Sequence, residues 1–173
     1  MKALVVVDYQ NDFVDGAFGF EGAEEIEPII ADKVIDAKIQ GIDIYFTRDC
    51  HGKDYLATHE GKRLPVEHCI TEQGRELYGS LKGLSEGCTV IDKPTFGSQE
   101  LMERMVSKGY DEVEVCGLIS NICVLSNVVL VRTVLPEARI TVDARAVRSN
   151  DSRLNEEALD VMESIHVDIT NRG

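Results

Sequence analysis

Residues 2–8 read Lys2-Ala3-Leu4-Val5-Val6-Val7-Asp8, an apolar run with three consecutive valines between charged ends. A strand with one solvated face alternates apolar and polar residues; an unbroken run marks a strand buried on both faces, as in a parallel sheet covered by helices. The chain beyond it agrees. From Glu24 to Gln40, residues Ile26, Ile30, Val34 and Ala37 recur at steps of four, four and three, one helical stripe, with Pro28 in its first turn and Gly41 as its stop. Ile42–Thr47 (IDIYFT) and Thr89–Asp92 (TVID) read as the second and third strands, and Glu112–Gly117 (EVEVCG) as the fourth. Between the third and fourth, Ser98–Lys108 carries Leu101, Met102, Met105 and Val106 on one side, and Gly109 ends it. An apolar helix over Asn121–Thr133, a strand at Arg139–Val142, a helix over Ser152–Ile165 and a strand at His166–Ile169 complete the series. Such alternation predicts an α/β fold: a mainly parallel sheet, helices on both faces, and right-handed crossovers.

No internal repeat, low-complexity tract or linker interrupts the 173 residues, so one domain spanning 1–173 is expected. A chain of this mass hides about 70% of its extended surface on folding, leaving roughly 8,400 Å² exposed. Eighteen basic against 31 acidic side chains give a net charge of −13. That balance argues against nucleic acid or a membrane as the main partner, since both polyanions need a basic face. The apolar run Ala3–Val7 is too short for a signal peptide's hydrophobic region or a membrane span, and cytoplasmic residence is the expectation. Five cysteines, Cys50, Cys69, Cys88, Cys116 and Cys123, are an odd number in a chain with its own core, which speaks against a disulfide framework.

In an open α/β sheet, ligands bind beyond the carboxyl ends of the strands. The polar residues at those ends are Asp8, then Asp49 and His51, then Lys93, then Asn121 to Cys123. Cys123 follows a strand that ends in Gly117 and precedes a helix, with Ser120 and Asn121 as candidate caps; amides of a first helical turn would lower the pKa of its thiol. A buried, inert thiol is the bland alternative, and Cys116, in mid-strand, fits it better. Asp8 beside a thiol would act as a general base, and Lys93 would stabilise both. The stretch from Arg48 to about Gly74 lacks clear periodicity and holds His51, His59 and His68. Asp49 and His51, two apart, point the same way along an extended chain, and His68 folding back would complete a site for Zn²⁺, Mn²⁺ or Fe²⁺. Cys50, His51, His68 and Cys69 form a rival ligand set, and His59 is a candidate extra ligand.

The motifs Asp8-Tyr-Gln-Asn-Asp-Phe13, Thr47-Arg-Asp-Cys-His51, Asp92-Lys-Pro-Thr-Phe-Gly-Ser98 and Gly117-Leu-Ile-Ser-Asn-Ile-Cys-Val124 together resemble the isochorismatase-like cysteine hydrolases, most closely the nicotinamidases. The resemblance implies a three-layer, Rossmann-like sandwich, commonly oligomeric, so a homo-oligomer is expected. It implies Cys123 as nucleophile, Asp8 as general base and Lys93 as third member of a triad. It also implies a non-proline cis peptide at Leu118–Ile119 that turns the Ile119 amide toward that of Cys123 as an oxyanion hole. Asp49, His51 and His68 match the metal ligands, and Phe13 matches a residue packing on the substrate ring. The run before the third ligand is Leu64-Pro65-Val66-Glu67-His68-Cys69 where those enzymes usually show Trp-Pro-Pro-His-Cys. The second aromatic wall is then expected from Phe20, Tyr55 or Tyr78. Likewise Ser120-Asn121 stands where Thr-Asp is usual.

The implied activity is hydrolysis of nicotinamide to nicotinate and ammonia through a Cys123 thioester. The alternatives are a related cysteine hydrolase acting on another small amide or ureide, and a non-catalytic metal- or redox-binding module using Cys50 and Cys69. Vinyl-ether hydrolysis of isochorismate is disfavoured, because it does not need the Asp49/His51/His68 cluster.

Overall fold

The apolar run after Met1 forms the first strand, β1 (Lys2–Val7), in a computed structural model that describes residues 1–173. The other strands are β2 (Asp43–Asp49), β3 (Thr89–Lys93), β4 (Glu112–Leu118), β5 (Arg139–Arg148) and β6 (Asp168–Thr170). They form one sheet ordered β3-β2-β1-β4-β5-β6, with every pairing parallel. The helices are α1 (Asn11–Val14), α2 (Glu27–Gln40), α3 (His59–Arg63), α4 (Glu72–Arg75), α5 (Ser80–Leu84), α6 (Gln99–Lys108), α7 (Leu125–Val134) and α8 (Ser152–Ser164).

Alternate residues of β1 face opposite cores. Ala3, Val5 and Val7 pack with Met105 of α6, Val128 of α7 and Met162 of α8, while Leu4 and Val6 pack with Ile30 and Val34 of α2 and Leu81 of α5. This is why the run needs no polar alternation: both of its faces are lined by helices. The result is the three-layer sandwich, with 8550 Å² accessible, close to the value expected from mass. The chain reverses direction across the sheet between β1 and β4, and the site lies beyond the carboxyl ends of these strands.

Three local readings are corrected. The segment from Glu24 begins with a 3₁₀ turn, Glu24–Ile26, and α2 proper starts at Glu27. The fifth strand runs on past Val142 to Arg148, through a register shift opposite Val115 and Gly117. Asp143 and Arg145 made it look finished, but the Asp143 carboxylate is buried against Lys33 Nζ at 2.9 Å and Arg145 Nη2 at 3.2 Å. The stretch after Arg48 is not structureless either. It holds a 3₁₀ turn, Tyr55–Ala57, and the short helices α3 and α4, each started by a threonine (Thr58, Thr71) whose hydroxyl accepts the N–H of a glycine three residues on at 3.0 Å. Helices of four or five residues are too short to leave a periodic trace.

Gly117 pairs with Val7 beside the site at φ 114°, and a Cβ there would lie 2.1 Å from the Val7 carbonyl oxygen. Gly117→Ala is expected to cost several kcal/mol, roughly 3–5, read as a loss of denaturant midpoint without rescue by ligand. Burial acts to raise the Asp143 pKa, but Arg145 and Lys33 outweigh it and hold the carboxyl well below its ordinary 3.8. A depressed carboxyl stabilises the fold above that ordinary value and loses the contribution as pH falls below it. The stability gap between wild type and Asp143→Asn is therefore expected to be constant near neutrality and to shrink below about pH 4, measured by thermal melts across pH.

Candidate active site

Four neighbouring strands deliver the site. Immediately after β1, Asp8 adopts a left-handed φ of 46°, one that Asp tolerates better than most residues, and turns its carboxyl inward. Its N–H donates to Thr47 O at 3.1 Å, and the Thr47 hydroxyl donates to Asp8 Oδ1 at 2.7 Å. Lys93, the last residue of β3, is 2% exposed. Its ammonium lies 2.6 Å from Asp8 Oδ2, 3.6 Å from Asp49 Oδ1 and 3.6 Å from Cys123 Sγ, and donates to Thr95 O at 2.9 Å. This close approach to Asp8 Oδ2 pairs the two charges inside a fully buried pocket.

Cys123 reaches the cluster from a π-helical turn, Ser120–Val124, that precedes α7. Ser120 and Asn121 do not cap this turn. Ile119 is the cap residue, and the Ser120 hydroxyl instead donates to Asn155 Oδ1 at 2.7 Å. Asn127 of α7 binds the Cys123 carbonyl at 2.8 Å and the Phe96 carbonyl at 3.1 Å, and accepts the Ser98 N–H at 2.9 Å, so one buried amide ties the thiol's turn to the loop after β3. The peptide between Leu118 and Ile119 is cis. The Ile119 amide takes no part in the loop and turn hydrogen bonds of the chain, and Ile119 lines the same cleft as Cys123.

The electrostatics correct one expectation. Burial pushes the Cys123 thiol well above its ordinary pKa, and the Asp8 carboxylate raises it further, against Lys93. Burial and a neighbouring carboxylate both favour the protonated thiol. Burial likewise raises the Asp8 carboxyl, against the pull of Lys93. Burial works against the Lys93 ammonium, but Asp8, Cys123 and Asp49 more than offset it and keep the group charged.

A second cluster shares Asp49. Its Oδ2 lies 2.8 Å from His51 Nε2 and 3.2 Å from His68 Nε2, and Glu60 Oε1 lies 3.7 and 3.9 Å from the same two nitrogens. His68 Nδ1 sits 2.8 Å from the Val66 carbonyl, which can only accept, so Nδ1 carries a proton, while Nε2 faces the Asp49 carboxylate. An imidazole nitrogen and a carboxylate oxygen this close need a proton or a cation between them. Two donors each about 2.1 Å from one ion, at angles of about 90–110°, stand about 3.0–3.4 Å apart. The Asp49–His68 separation of 3.2 Å falls in that range, Asp49–His51 is a little shorter and the Glu60 contacts are longer, so all four atoms lie within 4.8 Å of one another; the one-carboxylate, two-imidazole set with Glu60 as an additional oxygen suits Zn²⁺, Mn²⁺ or Fe²⁺. Burial acts to raise Asp49, but His51, His68 and Lys93 hold its carboxyl well below the usual range.

Beside the two clusters lies a small cleft of about 40 Å³, lined by Phe13, Phe18, His68, Phe96, Ile119 and Cys123 among others. Phe13 and Phe18 lie near-parallel, with ring centroids 6.2 Å apart, and Phe18 meets the His68 ring edge-on at 4.6 Å.

The chain matches the isochorismatase domain profile over residues 2–172. It belongs to the isochorismatase family. Among solved structures of the family's fold, the nicotinamidase of Bacillus subtilis shares 28% identity over 97% of this chain and 98% of its own, with a TM-score of 0.87. The pyrazinamidase/nicotinamidase of Streptococcus mutans shares 28% identity over 98% and 99%, at 0.86. A pyrazinamidase of Pyrococcus horikoshii, solved in complex with zinc, shares the fold at 24% identity over 99% of both chains, at 0.85. Among curated proteins none matches. The chain thus has an isochorismatase-like hydrolase fold, and no helix in it is long and apolar enough to cross a membrane.

Within this isochorismatase fold, Asp8, Lys93 and Cys123 come together, as do Asp49, His51 and His68, and Phe13 lies against the latter group with its ring 5.5 Å from that of His68. The rival thiol set does not assemble: neither Cys50 nor Cys69 joins the donor cluster. His59 is exposed, and the residue of α3 that faces inward is its neighbour Glu60, positioned by Tyr55, whose hydroxyl donates to it at 3.4 Å. The second aromatic wall is Phe18, with Phe96 at the rim. Tyr55 packs behind the histidines, while Phe20 and Tyr78 pack against the α2-side core.

Removing one partner of a buried ion pair strands the other charge. Lys93→Met is expected to cost roughly 3–5 kcal/mol in unfolding free energy, and adding Asp8→Asn should recover much of that loss in a double-mutant cycle.

Proposed function

We propose that the protein is a metal-assisted cysteine amidohydrolase that converts nicotinamide to nicotinate and ammonia. The observation that carries this reading is the gathering of a buried thiol and a buried carboxylate around one ammonium, next to a carboxylate–imidazole donor set and an aromatic-lined cleft that both Cys123 and His68 reach. The 28% identity to nicotinamidases of two bacteria over nearly whole chains supports it.

The substrate ring packs against Phe13 in the cleft, and its carboxamide points at Cys123. Asp8, made more basic by burial, takes the thiol proton as sulfur attacks the amide carbon, and Lys93 holds both negative groups in place. The amides of Ile119 and Cys123 receive the developing oxyanion. Asp8 then passes its proton to the departing nitrogen, ammonia leaves, and a thioester remains on Cys123. A water molecule, deprotonated by Asp8, attacks the thioester carbon and releases the acid. Asp49, His51 and His68, with Glu60 alongside, would hold a divalent ion, which would supply a Lewis-acid seat for a ring nitrogen.

Ammonia release from nicotinamide, measured beside a panel of small aliphatic and aromatic amides and a ureide, tests the reading. Activity on nicotinamide that falls about 10³-fold or more in Cys123→Ala and in Asp8→Asn is expected. Chelation, or Asp49→Ala, should raise KM for pyridine amides more than for benzamide, which has no ring nitrogen to seat. Unchanged turnover in Cys123→Ala would overturn the mechanism, and preference for an aliphatic amide or the ureide would overturn the substrate.

A further inference from the structure

Arg75, the last residue of α4, belongs to neither cluster, yet its guanidinium spans the two segments that carry the imidazoles. Nε donates to Cys69 O at 2.8 Å and Nη2 donates to His51 O at 2.6 Å. One of these carbonyls is that of a histidine in the donor set, and the other belongs to the residue after His68. Cys69 also accepts the His51 N–H at 3.1 Å, and its own N–H donates to Asp12 Oδ2 at 2.6 Å, holding it at a left-handed φ of 51°. The main chain of Arg75 is itself anchored: its carbonyl accepts from Gln10 Nε2 at 3.0 Å. The same Gln10 amide donates to Asp49 O at 2.9 Å and accepts the Asp49 N–H at 2.7 Å.

We propose that Arg75 is a positioning residue that sets the separation of His51 and His68 in the metal site, through a two-pronged clasp on their main chains. The inference rests on reading the donor set as a metal site. His51 follows the end of β2, whereas His68 lies on a separate loop 17 residues later (68 − 51) with no strand pairing to fix it. Two imidazoles must be held to within a few tenths of an ångström to share an ion. A guanidinium suits that task because its two donors are fixed in one plane; a lysine ammonium offers donors on a flexible stem and without a fixed fork. Gln10 does the equivalent for Asp49, and because it also holds Arg75, all three ligand segments refer to one small hydrogen-bonded frame.

The test compares wild type, Arg75→Met, Arg75→Lys and Asp49→Ala by titration with Co²⁺, followed by visible absorption, alongside thermal melts of the metal-free proteins. Arg75→Met is expected to bind Co²⁺ about 10–100-fold more weakly, with an altered visible band. Its metal-free circular dichroism spectrum should stay that of wild type. Arg75→Lys should recover only part of the lost affinity. A staple that merely stabilised the loop would lower the melting temperature and leave the affinity and band unchanged; that result, or Arg75→Met within twofold of wild type while Asp49→Ala fails to bind, overturns the proposal and leaves the metal site standing. Wild-type affinity in Asp49→Ala would overturn the metal reading itself. If Arg75→Met does not fold, Arg75→Lys decides: full wild-type affinity and band overturn the positioning role.

Discussion

One buried ammonium holds this site together. Lys93 is closed off from water and lies within 3.6 Å of two carboxylates and a thiol. Asp8 and Asp49 would repel each other and resist burial if left alone, since a charge in a dry interior costs several kcal/mol without a partner. Lys93 lets both stay ionisable in one pocket. It also couples the two clusters: Asp49 turns Oδ1 toward Lys93 and Oδ2 toward the imidazoles. A change at either cluster is therefore felt at the other through a single carboxylate.

The fold makes that arrangement possible by strand order. Asp8, Asp49 with His51, Lys93 and Cys123 lie at the ends of β1, β2 and β3 and just past β4, four strands adjacent in the sheet. Parallel strands place all their carboxyl ends along one rim, so residues 115 positions apart in sequence (123 − 8) become neighbours. Gly117 is part of the same device. Its lack of a side chain lets β4 approach β1 at Val7, directly beside the Asp8 turn. The site is assembled at some expense in stability, with two buried carboxylates, a left-handed Asp8 and a thiol raised by its neighbours, as is usual where chemistry is performed.

Much of this was legible in the chain itself, and the failures have physical causes. The strands and the four long helices left apolar runs or periodic patterns because each buries one or both faces against the core. Phe18, Glu60, Arg75 and Asn127 left none. Glu60 sits in a helix of five residues, where one position of shift decides which side chain faces in, so the eye falls on His59 instead. Arg75 acts through main-chain carbonyls, which every residue possesses and no motif reports. The thiol's raised proton affinity left no trace in the chain: the position of Cys123 before a helix is visible in sequence, whereas the drying of its pocket and the approach of Asp8 are not.

The sequence alone therefore determined the class of fold, the sheet's parallel sense and the residue types that converge, because hydrophobic period and strand-end chemistry are local properties. Only the tertiary structure decided which of the candidate donors meet, which thiol shares a pocket with an acid and an ammonium, and which aromatic rings wall the cleft. Those outcomes depend on distances of a few ångströms between segments far apart in the chain, and such distances are set by packing.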